Sequence, residues 1–404
     1  MKRISCVLIL ALVLSLLPFR AEAVELDLAG KSACLMDVAT GTVLYESNSH
    51  EQLAPASVTK VMTMLLIMEA IDEGRIGWND LVTASEAAAA KGGSQIYLKV
   101  GETMSVSDML KSIAVSSAND CACAMAEHIA GSEPAFVDMM NAKAKELGMN
   151  DTHFVYCTGL DDGADAASHR TSAYDIALMS RELLKNHPGI KEYTTIWMDS
   201  VRNGTFGLSN TNKLIRFYQG ATGLKTGFTS SAGYCLSATA QRDGMELIAV
   251  VMGADSSAQR NAACKQLLDY GFANFARFDP TLDQPAQVPV LLGAAPAVEA
   301  VLSQTGGLLV DKGQKAGITT QIELLDQIEA PVSQGQRLGT MQLHCQGQIL
   351  AQIPLVAKNA VPRLDYGDIL TLILRRALMA RPCASAILRS RNFLFNRFAE
   401  NSRR

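Results

Sequence analysis

The sequence predicts an α+β chain. Strand-like runs at 32–36 and 42–45 precede a helical block between residues 56 and 186, and β-like runs with a closing helix follow between 233 and 275. From 287 to 357 short strands recur with turn residues between them. The 404 residues are 48% hydrophobic and 19% charged, ordinary globular usage that excludes a disordered, collagen-like or polytopic membrane chain and allows two or three domains.

Residues 1–23 stand apart, because Lys2 and Arg3 lead an apolar run over 4–17 that ends in Ala21-Glu22-Ala23. This reads as a cleaved secretory signal. A membrane anchor, the other reading, asks for about 20 apolar residues, and the run has 14. Next comes a hairpin turned near Gly41, then a helix from Ala56-Ser57 through Met68 that is apolar on nearly every side and therefore central. Helices at about 106–116, 118–130, 133–147 and 172–186 have Gly131, Gly148 and Pro188 at or just past their ends. The runs 233–240 and 246–252 flank Arg242-Asp243-Gly244, a hairpin signal, and a helix over 257–275 closes the unit. Phe278-Asp279-Pro280 and Asp283-Gln284-Pro285 form a linker; the alternating runs 288–292, 320–324, 341–345 and 349–353 fit a small β-sandwich without a catalytic cluster.

The net charge of −4 hides a division: the leader carries +2 and residues 367–404 carry +6, which leaves 24–366 at −12. An acidic body is a poor nucleic-acid binder, so no nucleic-acid partner is expected. In the tail, Ala384, Ile387, Leu388, Leu394, Phe395 and Phe398 recur at helical spacing with Arg389 and Arg391 on other sides, a basic amphipathic helix suited to an anionic membrane surface. Pro382 separates it from an earlier helix over 368–380; a disordered or packed terminus is the alternative. Eight cysteines outside the leader are scattered through apolar stretches without paired C-x-x-C spacing, which favours buried free thiols while leaving one or two bridges open. The histidines at 50, 128, 153, 169, 187 and 344 show no ligand spacing, so neither a metal nor a cofactor is expected.

Three short motifs carry the chemistry: Ser57-Val58-Thr59-Lys60, Ser117-Ala118-Asn119 and Lys225-Thr226-Gly227. Ser57 opens a helix and Lys60 follows three residues later, so both fall on one face beside free N–H groups suited to an oxyanion. A serine hydroxyl needs a base, and Lys60 serves if burial and a second cation, Lys225, keep its amine neutral. The bland alternative makes Ser57 a helix cap and Lys60 a solvated lysine, although Val61, Met62 and a run of aliphatics follow.

With these motifs in this order the chain resembles the serine-type D-alanyl-D-alanine carboxypeptidases, the low-molecular-mass penicillin-binding proteins. The likeness extends over Leu53-Ala54-Pro55-Ala56 before the nucleophile, Ser116 and Asp120 around the middle motif, Gly159-Leu160-Asp161-Asp162, and Gly223 through Thr229 to Ala232-Gly233-Tyr234. It implies a three-layer transpeptidase-like domain with a central antiparallel sheet and a helical block. Signal 1–23, catalytic domain 24–278, β-sandwich 279–362 and membrane-associating tail 363–404 are the expected divisions, on a protein exported to the outer face of the cytoplasmic membrane.

The resemblance further implies that Ser57 attacks the carbonyl between the two terminal D-alanines of a peptidoglycan stem peptide, with β-lactams acylating the same serine. Lys60 accepts the proton, Ser117 relays it, and Asn119 holds the substrate backbone. Lys225, Thr226 and Arg260 face the terminal carboxylate, Gly227 lets a strand pass close, and the backbone N–H of Phe228 joins that of Ser57 in the oxyanion hole. A solvated helix position is the alternative for Arg260. Ala118 stands where the family usually has Gly, and Tyr156-Cys157 where it has Asn-Pro. Two other functions fit less well: a serine β-lactamase, for which Glu146 and Asn150 are the spacing candidates, and a catalytically silent peptidoglycan-binding scaffold.

Overall fold

The structure, a computed structural model, describes residues 26–379 apart from residues 162, 164, 283, 304 and 305. The expected signal segment and the basic helix over 384–398 lie outside the described residues. The chain divides into two units between Arg277 and Phe278.

The first unit is built on a five-stranded antiparallel sheet. Its strands are β1 (Ser32–Asp37), β2 (Val43–Ser47), β3 (Ala221–Thr229), β4 (Gly233–Arg242) and β5 (Met245–Ala254), in the order β2-β1-β5-β4-β3. Side chains alternate between faces along a strand. Cys34, Met36, Ile248, Val250 and Met252 accordingly join one apolar core with the helical block, while Leu35 and Leu247 turn the other way, against Gly271 of the closing helix. A sheet covered on both faces explains why β1 and most of β5 read as nearly continuous apolar runs. Asp243 and Gly244 both take positive φ, +49° and +78°, as a tight two-residue hairpin turn requires.

The helical block contains α1 (Lys60–Asp72), α2 (Val106–Ser116), α3 (Asn119–Ala130), α4 (Glu133–Glu146) and α5 (Ala173–Asn186), and α6 (Ser257–Asn274) closes the opposite layer. Serine hydroxyls cap α2, α4, α5 and α6 from Ser105, Ser132, Ser172 and Ser256. Helix α1 has no such cap, because a 3₁₀ turn over Ala56–Thr59 runs directly into it. Ten of the thirteen residues of α1 are buried, as its all-round apolar pattern predicts. The sequence reading missed two small hairpins, Leu81–Thr83 with Thr103–Ser105 and Met198–Val201 with Phe206–Ser209, whose strands are too short for a periodic signal.

In the second unit, Thr319–Leu324, Arg337–Cys345, Gln348–Ala357, Ala297–Leu302, Ala286–Leu291 and Ile328–Glu329 are neighbours in that order. All pairs are antiparallel except the last. Val288, Val298, Leu338, Met341, Leu343 and Leu355 point inward and fill the core of the small β-sandwich expected from the sequence. The helix that follows, α7, spans Tyr366–Met379 and exposes Leu370, Ile373 and Leu374. No helix of the described residues is long and apolar enough to cross a membrane.

Candidate active site

The 3₁₀ turn Ala56–Thr59 presents Ser57 at the start of α1, with Lys60 one turn further on and fully buried. Lys60 Nζ lies 3.0 Å from Ser57 Oγ and donates to the carbonyl of Thr158 at 2.8 Å. Burial lowers the Lys60 pKa from 10.5 to about 7, against the opposing influence of Cys157 and Asp120. A neutral amine is therefore well populated near neutrality. Both bland readings fail on this geometry: Lys60 is not solvated, and no side chain caps this turn.

The Thr158 carbonyl belongs to a strap, residues 155–160, laid across the nucleophile turn. Thr63 Oγ1 donates to the Cys157 carbonyl at 2.6 Å, and the Cys157 N–H donates to Glu133 Oε1 at 3.2 Å. Gly159 takes φ +78°, and a Cβ there would run into the Ala56 carbonyl and stand 2.6 Å from Thr59 Oγ1. Only glycine lets the strap pass so close. Tyr156-Cys157, the departure from the family pattern, thus lies in the segment that faces the base.

Strand β3 carries the third motif along the free edge of the sheet. A Cβ on Gly227 would stand 2.8 Å from the Pro55 carbonyl and 3.1 Å from Ser57 N, so the glycine lets β3 abut the nucleophile turn. Lys225 is buried, and burial followed by repulsion from Lys60 and Arg260 drives its pKa well below 10.5. The expected help of Lys225 in neutralising Lys60 is therefore corrected: burial is what lowers the Lys60 pKa, and the repulsion between the two falls on Lys225. Thr226 Oγ1 hydrogen-bonds Thr211 Oγ1 at 2.6 Å. Phe228 is exposed and packs on Tyr234, ring centroids 4.3 Å apart.

Arg260, on the first turn of α6, is only 4% exposed, so the solvated alternative falls. Its guanidinium bonds Ser257 Oγ and Asn261 Oδ1 and has no ion pair among the described residues. A buried cation without an anion suits a ligand carboxylate. Ser117 sits at φ +63°, in the left-handed turn between α2 and α3. Asn119 begins α3; its Nδ2 donates to the Gly92 carbonyl at 2.8 Å, while its buried Oδ1 has no partner among the described residues. Asn119 and Leu160 of the strap both lie against Gly93, which brings the middle motif to the rim of the same crevice.

Several contributors escaped the sequence reading: Thr158 through its carbonyl, Thr63, Glu133 and His169, whose Nε2 meets Thr59 Oγ1 at 2.8 Å. Their partners lie tens of residues away, so no local spacing betrays them. Thr59 was in view only as part of the first motif, and His169 only as a histidine without ligand spacing. Glu146, the residue a β-lactamase would need, is exposed and paired with Lys143. The seven described cysteines are buried, with no disulfide among them.

Comparison with known proteins agrees with this arrangement. The D-alanyl-D-alanine carboxypeptidase family model matches residues 19–256, and that of the penicillin-binding protein 5 C-terminal domain matches 283–363. The chain is 45% identical to the D-alanyl-D-alanine carboxypeptidase DacF of Bacillus subtilis over 85% of this chain and 88% of that one. Among solved structures, penicillin-binding protein 5 of Haemophilus influenzae superposes with TM-score 0.72 at 30% identity, covering 84% of this chain and 99% of that one. Penicillin-binding protein D2 of Listeria monocytogenes, in its ampicillin-bound form, superposes with TM-score 0.54 at 32% identity over 61% of this chain and 99% of that one. The first and third motifs abut, the fold is shared and the relatedness covers 85% of the chain: the chain belongs to the D-alanyl-D-alanine carboxypeptidase family.

Proposed function

We propose that this carboxypeptidase removes the terminal D-alanine from peptidoglycan stem pentapeptides through an acyl-enzyme on Ser57, and that β-lactams acylate the same serine. The observation that carries the reading is the 3.0 Å approach of Lys60 Nζ to Ser57 Oγ, with an amine whose pKa is about 7. The Lys60 lone pair takes the Ser57 proton as Oγ adds to the scissile carbonyl carbon. The backbone N–H groups of Ser57 and Phe228 receive the oxyanion. The proton passes by way of Ser117 to the leaving amine, and the C–N bond breaks. Water then attacks the ester with Lys60 again as base, releasing the tetrapeptide and restoring Ser57.

Substrate contacts follow from the unfilled valences of the crevice. Asn119 Oδ1 accepts a peptide N–H, the free edge of β3 offers main-chain partners, and Gly227 keeps that edge close to Ser57. Lys225, Thr226 and Arg260 surround the terminal carboxylate.

Residues 1–23 export the protein, 24–278 form its catalytic domain and 279–362 its accessory domain. The tail, 363–404, lies on anionic lipid at the outer face of the cytoplasmic membrane. The apolar side chains that α7 exposes support the last assignment, and each arginine near such a surface adds about 1 kcal/mol.

The test is D-alanine release from a pentapeptide, with intact-mass analysis after penicillin treatment. Wild type is expected to release D-alanine and to carry one long-lived adduct on the peptide containing Ser57, and Ser57→Ala to do neither. An adduct elsewhere, or rapid turnover of the β-lactam, overturns the reading.

A further inference from the structure

His169 is fully enclosed, 3% exposed, and lies 110 positions from its nearest catalytic-motif partner. Its Nδ1 accepts the backbone N–H of Val155 at 2.9 Å and, at 3.4 Å, that of Tyr156. A ring nitrogen that accepts is unprotonated, so the single ring proton sits on Nε2. From there it is donated to Thr59 Oγ1 at 2.8 Å, and Thr59 in turn donates to the Ala56 carbonyl at 2.8 Å. One imidazole thus ties the nucleophile turn, at Thr59, to the strap, at Val155. Burial first, then the nearby His153, Arg170 and Lys60, hold the His169 pKa down at about 4, so the ring stays neutral wherever a cell-envelope enzyme works. It exchanges no proton in the reaction.

The strap matters because of what its carbonyl does to Lys60. A neutral amine has two N–H bonds and one lone pair. The Thr158 carbonyl takes one N–H at 2.8 Å, and Ser57 Oγ lies 3.0 Å away on the same nitrogen. With one N–H pinned, rotation of the amine is restricted and the lone pair can be held toward the Ser57 proton. Release the strap, and the amine turns freely while water reaches it. Water restores the charged form, since burial is what keeps the amine neutral.

We infer that His169 is a positioning residue for the catalytic base: by joining Thr59 to Val155 it fixes the Thr158 carbonyl that orients Lys60, an inference that rests on the reading of Lys60 as the base. Glu133 and Thr63 hold the same strap at Cys157, so loss of His169 loosens one end of it and leaves the other attached. The other ionisable groups acting on Lys60 are Cys157, which the strap itself carries, and Asp120. Substitution at 169 changes none of them directly, which isolates the strap as the variable.

The experiment measures second-order acylation by a fluorescent penicillin from pH 5 to 9 for wild type, His169→Ala, His169→Gln and Thr59→Val, with Lys60→Met as reference. Misplacement by about 1 Å can cost 10²-fold, so His169→Ala is expected to slow acylation about 10- to 100-fold at pH 8. Its acid limb, near pH 7 in wild type, is expected to move upward by roughly a pH unit or more as Lys60 becomes hydrated. Gln offers an acceptor oxygen and an N–H donor in place of the ring and is expected to restore most of the rate. His169→Ala combined with Thr59→Val is expected to cost little more than either alone, because both cut one hydrogen-bonded path.

A His169→Ala rate within threefold of wild type overturns the inference. So does a slower rate whose acid limb has not moved, since a histidine that merely fills the core would lower the yield of active enzyme without retuning Lys60. Failure of the underlying reading looks different: Lys60→Met would then still be acylated at the wild-type rate, whatever His169 does.

Discussion

Replacing Lys60 with methionine should abolish activity and make the protein more stable, by an amount that depends on pH. The amine titrates at 10.5 in the unfolded chain and at about 7 in its buried place. At about 1.4 kcal/mol per pH unit, folding with this lysine costs about 5 kcal/mol below pH 7, a cost built up between pH 10.5 and 7, where the unfolded state binds a proton that the folded state does not. The sign follows from the lowered pKa: stability is complete above 10.5 and is lost progressively as pH falls to about 7, below which the loss is constant. Methionine removes the cost while filling nearly the same space. It also leaves the Thr158 carbonyl without its partner, a penalty of about 1–3 kcal/mol. Relief of Lys225 from its neighbour works in the stabilising direction. The net gain is about 2–4 kcal/mol at pH 6, or roughly 4–16 °C in the melting temperature of a unit this size. At pH 9.5 it should shrink to about zero, since the titration cost there is only about 1.4 kcal/mol. Thermal melts of wild type and Lys60→Met at both pH values check this. A variant less stable at pH 6, or a difference indifferent to pH, would refute the argument that burial alone makes this lysine a base.

Two further substitutions probe the other walls of the crevice. Gly227→Ala brings a methyl group to 2.8 Å from the Pro55 carbonyl and 3.1 Å from Ser57 N; parting β3 from the nucleophile turn should cost about 1–3 kcal/mol of stability and about 10²-fold in acylation, read by melting and penicillin labelling. Arg260→Gln removes the unpaired buried cation, and a charge-assisted contact of about 1.5–3 kcal/mol should vanish from kcat/KM for a peptide with a free carboxylate but not for its amide; equal losses on both substrates would remove Arg260 from carboxylate recognition.

The comparison with known proteins and the fold support the family and the architecture that the motifs implied, and how legible each element was differs for physical reasons. Helix α1 was legible because a helix buried on all sides leaves an unbroken apolar run, and β5 because a strand covered on both faces does the same. Strand β3 was harder to read, for Lys225, Thr226 and Gly227 lie buried on the free edge of the sheet and break the apolar alternation that marks a strand. The two short hairpins carry too few residues to show any period.

By itself the sequence determined that Ser57 and Lys60 lie within reach of each other: three residues of spacing at the start of a helix are enough, because helix geometry is local. It also determined that the lysine would be costly to charge, from the aliphatic run behind it. Which carbonyl pins the amine, which imidazole holds that carbonyl, and which buried cation waits without an anion were decided only by tertiary structure. These depend on segments up to 110 positions apart meeting in the fold, and contacts at that separation leave no periodic trace in the chain that makes them.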